Sequence, residues 1–406
     1  MNRKFKSLIL VTCMFPLLLS FCRQIPLAHA ENWWNTISVR TDVNLDLRVD
    51  MKDVSFTAKA FGSRLNPTSY DWDSDCDVVS DGVIDMKDIA TVAKHFGHVS
   101  EMPPPTTLIV SSTTSLYETK VEDEMKTVFQ AKYPWITISF LSQGTGAAIQ
   151  TAMRGDADMI MVHDPVQEKA FLTNGYGVNR KIIACNFFVI VGPKDDPANI
   201  AGLTPLDALR QMRALGEQGQ ALWISRGDGS GTHSLEKRLW AAAGINWTQI
   251  RTETSWFKET GQGMTATLLV ANELGGYTMS DTASYLTNTE AGNIQMEIIV
   301  QAGKELLNVY SLIVDNPLNA NLTDTNFVAS MLFVHFLVSE EGQTLMANYG
   351  TSTFGEPLFT PFVPIAKGSN ATLLSWIQNL AYINGTECPP AYRYDATWLY
   401  SNAWDL

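Results

Sequence analysis

Three apolar segments of this chain, LIV (108–110), ISFL (138–141) and ALWI (221–224), each run straight into a small, hydroxyl-rich loop and then a helical pattern. The loops read SSTTS (111–115), QGTG (143–146) and SRGDGSGTH (225–233). Strands that feed helices in this way restrict the chain to a layered α/β architecture, with the connecting loops gathered at the strand C-termini. Other segments extend the alternation. KVEDEMKTVFQAKY predicts a helix with Val121, Met125, Val128 and Phe129 on one face, and AAIQTAMRG predicts another. DMIMVHD and CNFFVIVGP predict further strands. The expected sheet is mostly parallel.

Each loop alone is ordinary helix-capping chemistry. Three of them at equivalent strand ends, one carrying Arg226, point to an anion site. Helix N-termini offer unpaired N–H groups and the positive end of a dipole. Glycine lets backbone amides approach an oxygen closely, and serine and threonine can donate to the same oxygens. Asp228 would repel an anion, so its expected job is to orient Arg226 or cap the helix. The formal net charge of −13 excludes nucleic acid as a partner held by bulk electrostatics, whereas a local anion site needs no net basic charge.

The N-terminal part repeats itself. DVNLDLRVDMKDVSFTAKAFG begins at Asp42, and DVVSDGVIDMKDIATVAKHFG begins at Asp77, an offset of 35 residues. Each unit is an acidic loop running into a short helix. Val54, Ala58 and Phe61, and then Ile89, Ala93 and Phe96, have the spacing of one buried face, and the glycine that follows each phenylalanine suits a helix end. The loops have calcium-binding spacing: Asp42, Asn44, Asp46, Asp50 and Asp53 in the first, and Asp77, Asp81, Asp85 and Asp88 in the second. Leu47 occupies the sixth position of the first loop, where an EF-hand turn has glycine, and Val79 brings no side-chain ligand to the second. The duplicated pattern over residues 40–98 resembles a dockerin module, a small all-α unit of EF-hand type. That resemblance implies bound calcium and a cohesin-bearing surface protein as partner.

The ends and the cysteines bound the setting. MNRKFK, an apolar core and the Ala28-His29-Ala30 site predict a signal segment over 1–30, hence an extracytoplasmic protein that is secreted or held at the cell surface. Past it, Cys76, Cys185 and Cys388 cannot all pair and form no CxxC, so no disulfide framework or zinc site is expected. In a secreted chain the sequons at Asn246, Asn321, Asn370 and Asn384 permit glycosylation. Residues 99–107 read as a proline-rich linker and 108–367 as the main domain. The segment 368–406 suggests packing through Trp376, Trp398 and Trp404, with no function attached.

Within the main domain STTS, GTG, RGDADMIMVHDP, NGYGV, NFFVIVGPKDDPA, SRGDGSGTH, GQGM, YTMSD and LNVYS occur in order. This series, over roughly 107–360, resembles the tungstate-binding proteins of ABC transporters. The resemblance implies a two-lobed periplasmic-binding-protein fold of the second type, one lobe about 108–187 and 308–367, the other about 188–307. MLFVHFLVSEEGQTLMANYG (331–350) would be one late helix on the first lobe. It implies tungstate or molybdate clamped between the lobes and passed to a membrane permease, with no enzymatic step. Its binding positions map onto Ser112, Thr113, Thr114, Ser115, Thr145, Gly146, Arg226, Ser230, Gly231 and Thr232. Gly229 departs from the family's more usual second aspartate. R-x-D-G-S-G-T also resembles phosphate-binding proteins, for which Asp164 is the candidate proton acceptor. Two further readings are a hydrolase built on Ser230 and His233, and an adhesion protein served mainly by its dockerin-like module.

Overall fold

The computed structural model describes residues 41–394, apart from 45, 65–75, 80, 101, 302 and 323–324. The signal segment and Trp398 and Trp404 lie outside the described residues.

The duplicated N-terminal segment forms two helices, Met51–Lys59 and Met86–Lys94, around a small core of Val43, Val49, Cys76, Val78, Ile84 and Val92. Both loops fold alike. Asp42 accepts from the N–H groups of Asp46 and Leu47, and Asp77 from those of Asp81 and Gly82. Asp53 and Asp88 reach back to cap Asp50 and Asp85. The turn at the sixth position forms in both, with Leu47 at φ 68° and Gly82 at φ 80°. Leucine thus takes a left-handed conformation usually left to glycine. The expected buried faces are corrected: Phe61 and Phe96 are half exposed, at 52% and 55%, and Ala58 and Ala93 are exposed. The inward turn of Asp53 and Asp88 rotates each helix, so that Asp53 with Thr57, and Asp88 with Val92, face the interior.

The main domain begins at β1 (Thr106–Thr113), two residues inside the expected linker. It continues through β2 (Ile136–Gln143), β3 (Met159–Val162) and the 16-residue β4 (Gly177–Gly192). Then come β5 (Trp223–Ser225), β6 (Phe257–Glu259), β7 (Thr278–Asp281), β8 (Glu297–Val300), β9 (Leu307–Asp315) and β10 (Thr360–Pro361). The main sheet runs β10-β4-β9-β3-β1-β2, with β7 and β8 also on β4; β5 pairs with β6. The expectation of a mostly parallel sheet is corrected. Only β1–β2, β1–β3 and β5–β6 are parallel, and every pairing of β4 is antiparallel.

The reason is the two-lobed plan. As far as Phe187, β4 pairs with β9; from Phe188 it pairs with β7 of the second lobe. The two strands that join the lobes therefore run side by side in opposite directions, with Asn186 opposite Asn308. The first lobe is built around Leu108, Val110, Phe129, Leu312 and Phe333, and the second around Trp223, Trp240, Trp256 and Phe257. In the second, Trp240 meets Trp223 edge-on at 5.3 Å and Trp256 at 6.0 Å. Such geometry adds roughly 0.5–1.5 kcal/mol per pair beyond burial. Residues 331–350 form parts of two helices, Phe327–Val338 and Glu340–Asn348, rather than one. Ser339 caps the second and breaks the run. No helix among the described residues is long and apolar enough to cross a membrane.

The C-terminal extension packs on the joining strands. Helix Ala371–Ala381 sets Leu373, Ile377 and Ala381 against Ile182, Cys185, Leu307 and Val309. Beyond it, Glu387 is buried beside Lys181, and its carboxylate accepts from the Ile182 N–H.

Asp315, at the end of β9, is fully buried, and neither carboxylate oxygen has a hydrogen-bond partner among the described residues. Burial and the nearby Asp158 push its pKa well above the usual range. The folded state then holds a proton that the unfolded chain releases, so this contribution is most favourable below about pH 4 and erodes as pH rises. Asp315→Asn is expected to stabilise the protein at pH 7 by about 1–3 kcal/mol. It should also flatten the decline of melting temperature between pH 5 and 8, measured by calorimetric scanning.

Candidate functional site

The three Ser/Thr/Gly loops come together in the cleft between the lobes. The loops after β1 and β2 belong to the first lobe, and the loop after β5 to the second. Two of the hydrogen bonds that cross the gap join these loops directly. Arg226 Nη2 donates to Thr114 Oγ1 at 3.2 Å, and the Gly231 N–H donates to Thr145 Oγ1 at 3.1 Å. Backbone packing is equally close. A Cβ on Gly144 would lie 3.7 Å from Ser230 Cα, and one on Gly146 3.5 Å from the Gly229 carbonyl. Gly227 and Gly229 take φ of 66° and 75°, which bends the third loop into the cleft.

Arg226 is the buried cation of the site, 2% exposed. Its Nε and Nη2 both donate to Asp228 Oδ2, at 3.1 and 2.5 Å. Asp228 also accepts from the Ser230 N–H. Burial opposes the Asp228 charge, but Arg226 and the Ser230 donors hold its pKa below the usual value. Asp228 thus orients the guanidinium rather than facing an anion.

The predicted positions divide by what their hydroxyls already do. Ser112 donates to Glu122 Oε1, so it anchors its loop. Thr113 Oγ1 lies 3.2 Å from Ser115 Oγ, which in turn meets His163 Nε2 at 3.3 Å. Thr114 and Thr145 accept across the cleft. Ser230 caps helix Gly231–Ala242 by accepting from the His233 N–H, and its own hydroxyl supports the Asp228 carboxylate. Thr232 Oγ1 is buried with no partner among the described residues. Gly146 and Gly231 act through their backbones in the first turns of helices Thr145–Met153 and Gly231–Ala242.

Several contributors carried no local sequence signal. Glu122 and Glu236 are buried behind the first and third loops, and burial pushes both carboxyls up to about 7. Glu236 accepts from Ser225 Oγ and Trp223 Nε1, both at 2.7 Å, which fixes the strand end just before Arg226. Glu118 crosses the cleft to accept from Thr265 Oγ1 at 3.0 Å. Asp281 caps helix Thr282–Glu290 with Oδ1, while its buried Oδ2 has no partner among the described residues. Distant residues of this kind can be assigned only once the chain is folded.

Two residues noticed in the sequence find fixed places. Asp164 caps helix Pro165–Thr173 and also accepts from Gln167 Nε2 at 2.9 Å and Arg238 Nη1 at 3.3 Å. Although burial opposes it, these donors lower its pKa, so Asp164 is a charged cap and a cross-lobe ion pair. His233 Nδ1 accepts from the Gly229 N–H at 2.9 Å. Its contact with Ser230 is through the backbone, so this ring is not the base of a Ser–His pair.

A model described as PBP superfamily domain matches residues 100–341. The "Putative ABC transporter anion-binding protein" of Haloferax volcanii is 41% identical over 260 residues, 63% of this chain and 71% of that one. The tungstate-binding protein TupA of Peptoclostridium acidaminophilum is 33% identical over 266 residues, 65% of this chain and 89% of its own. Among solved structures, the tungstate-binding protein TupA of Desulfovibrio alaskensis G20 superposes with a TM-score of 0.53 at 35% identity. The match covers 64% of this chain and 99% of that one.

Proposed function

We propose, from the premise that this chain belongs to the PBP superfamily, that it is an extracytoplasmic solute-binding protein that captures tungstate and delivers it to the permease of an ABC transporter. The carrying observation is Arg226, buried in the cleft and reaching from one lobe to Thr114 of the other. An oxyanion seated there meets a guanidinium, the Thr232 hydroxyl, and the first-turn amides of helices Thr145–Met153 and Gly231–Ala242. Tungstate and molybdate carry two charges at neutral pH and offer only acceptor oxygens, which suits such donors. Binding of this kind needs lobe closure and no chemistry. Asp164 supports the reading by being committed to Gln167 and Arg238 instead of a ligand proton. Native mass spectrometry of the full chain equilibrated with sodium tungstate tests it: a one-to-one adduct is expected, and its absence defeats the proposal.

Closure yields a sharper expectation. A methyl on Gly231 would lie 2.7 Å from His163 Cε1 and 3.0 Å from Thr145 Oγ1, both on the opposite lobe. Gly231→Ala should wedge the cleft and weaken tungstate binding by about tenfold or more, equivalent to roughly 1.4 kcal/mol. Its melting temperature without ligand should stay near wild type.

Phosphate remains a second reading for one reason. The unpartnered Oδ2 of Asp281 could accept the proton of hydrogen phosphate. A dockerin-like role for residues 40–98 rests on a separate observation, the near-identical hydrogen bonding of the two acidic loops. Among the described residues no group of three or more His, Cys, Asp or Glu is arranged to hold a metal ion. Lys52 and Lys87 instead pair with Asp46 and Asp81, at 3.2 and 2.8 Å. The oxygen-only donors still suit calcium, which would replace those lysines. Met51 and Met86, and Phe61 and Phe96, are exposed at repeat-related positions, which supports a protein partner such as a cohesin. Asp42→Ala with Asp46→Ala should reduce calcium uptake by about half, read by calorimetric titration with calcium chloride, and leave tungstate binding unchanged. Undiminished calcium uptake would remove the first loop from the assignment.

A further inference from the structure

His163 stands at the centre of a buried chain of hydrogen bonds that joins the anion loop to the strands linking the lobes. Its Nδ1 lies 2.9 Å from Asn308 Oδ1. Asn308 Nδ2 donates both to Asn186 Oδ1 at 2.9 Å and to the Tyr310 hydroxyl at 2.8 Å, which fixes the amide orientation. The Asn308 oxygen can only accept, so Nδ1 carries the hydrogen. In a neutral ring Nε2 is then an acceptor, and the Ser115 hydroxyl spends its proton on it. In this state Ser115 has nothing to donate to an anion.

The charges that face His163 come from every side of the cleft. Asp164 follows it on its own segment. Asp281 comes from the end of β7 and Arg226 from the loop after β5. The neutral Tyr310 ring, on β9, packs 5.1 Å from the imidazole. Burial lowers the His163 pKa against the pull of Asp281 and Asp164, so the ring is neutral before ligand enters. Arg226 is already paired with Asp228 and Arg238 with Asp164, while Asp281 Oδ2 has no partner among the described residues. A dianion arriving here meets more negative than positive charge.

We propose that oxyanion capture is coupled to uptake of one proton by His163, making this residue the proton-linked positioning group of the site. The inference rests on the oxyanion-binding reading above. The balance is simple: one dianion and one solvent proton enter, and the imidazole becomes imidazolium with no bond to the ligand formed or broken. Nε2–H now donates to Ser115 Oγ, and the Ser115 hydroxyl turns its proton to the anion. Nδ1–H stays on Asn308, so the same ring ties the occupied loop to Asn186 and Asn308 on the joining strands. The added positive charge also answers Asp281.

Calorimetric titration of the full chain with sodium tungstate tests this at pH 7 to 8.5, in two buffers of different ionisation enthalpy at each pH. The expected result is an uptake approaching one proton per tungstate, with affinity falling up to about tenfold per pH unit. His163→Gln should bind more weakly, take up no proton and lose the pH dependence. His163→Asn, which keeps a donor towards Asn308, should do the same and guards against a folding defect in either variant. Asp281→Asn should still take up the proton. Wild-type heats that do not depend on buffer would overturn the proposal. So would proton uptake that survives in both His163 variants, or that disappears only in Asp281→Asn. If tungstate gives neither heat nor a mass shift with wild-type protein, the oxyanion reading itself fails. Tight but proton-free binding contradicts only the coupling.

Discussion

Arg226→Ala is expected to lower tungstate affinity by about a hundredfold, with the fold intact. The side chain is 2% exposed and is the buried guanidinium where the three loops meet. A hydrogen bond to a charged group contributes roughly 1.5–3 kcal/mol, and removing the partner of a buried ion adds the penalty of leaving that ion unpaired. Here the ion left behind is Asp228, whose negative charge would then face the ligand. Two decades correspond to about 2.7 kcal/mol, within that range. Arg226→Lys should recover little, because an ammonium cannot span Asp228 and Thr114 with one planar fork. Calorimetric titration gives the comparison. A variant that binds within threefold of wild type would move the site away from this loop.

The largest expected effect on stability is at Arg180→Met. Arg180 and Glu168 are both fully buried and paired at 2.8 Å, and Arg180 Nη1 also donates to the Glu387 carbonyl at 2.8 Å. Loss of the arginine strips Glu168, whose pKa burial already raises, of its counter-charge inside the first lobe and frees a tether of the C-terminal extension. Breaking such a pair from one side costs about 3–5 kcal/mol. For a domain of this size that is a fall in melting temperature of roughly 10 °C. Replacing both partners, as Arg180→Met with Glu168→Leu, should restore much of the loss, because two apolar groups leave no stranded charge. A double variant as unstable as the single would show that the extension's tether, rather than the charge, dominates.

Where function was legible, it was legible because local chemistry announced it. An apolar run followed by serine, threonine and glycine has few uses at a strand end, and all three loops meet as that pattern implied. Arg226 and Asp228 could be paired by eye because they are two residues apart. What escaped the sequence was set by distance along the chain. His163 meets Asn308 at a separation of 145 residues, and Arg180 reaches Glu387 at 207, so no window of residues contains either contact. The antiparallel course of β4 and β9 was hidden for a related reason. Both are buried along nearly their whole length, so neither shows the in-and-out alternation of a half-exposed strand, and apolar content carries no direction. In the repeats the 3.6-residue spacing misled, because Asp53 and Asp88 are drawn inward by backbone donors and turn the helices with them. A carboxylate that serves a loop can outrank an apolar stripe in a unit with so small a core.

The central claim is that the cleft holds a fully deprotonated dianion on Arg226 and the three loops. The direct measurement is competition calorimetry on the full chain, titrating sodium tungstate in the absence and presence of millimolar phosphate at pH 7.5. The account predicts a one-to-one isotherm whose affinity is nearly unchanged by phosphate. Displacement of tungstate by an equal concentration of phosphate, removed by Asp281→Asn, would contradict it and make Asp281 the acceptor of a protonated oxyanion.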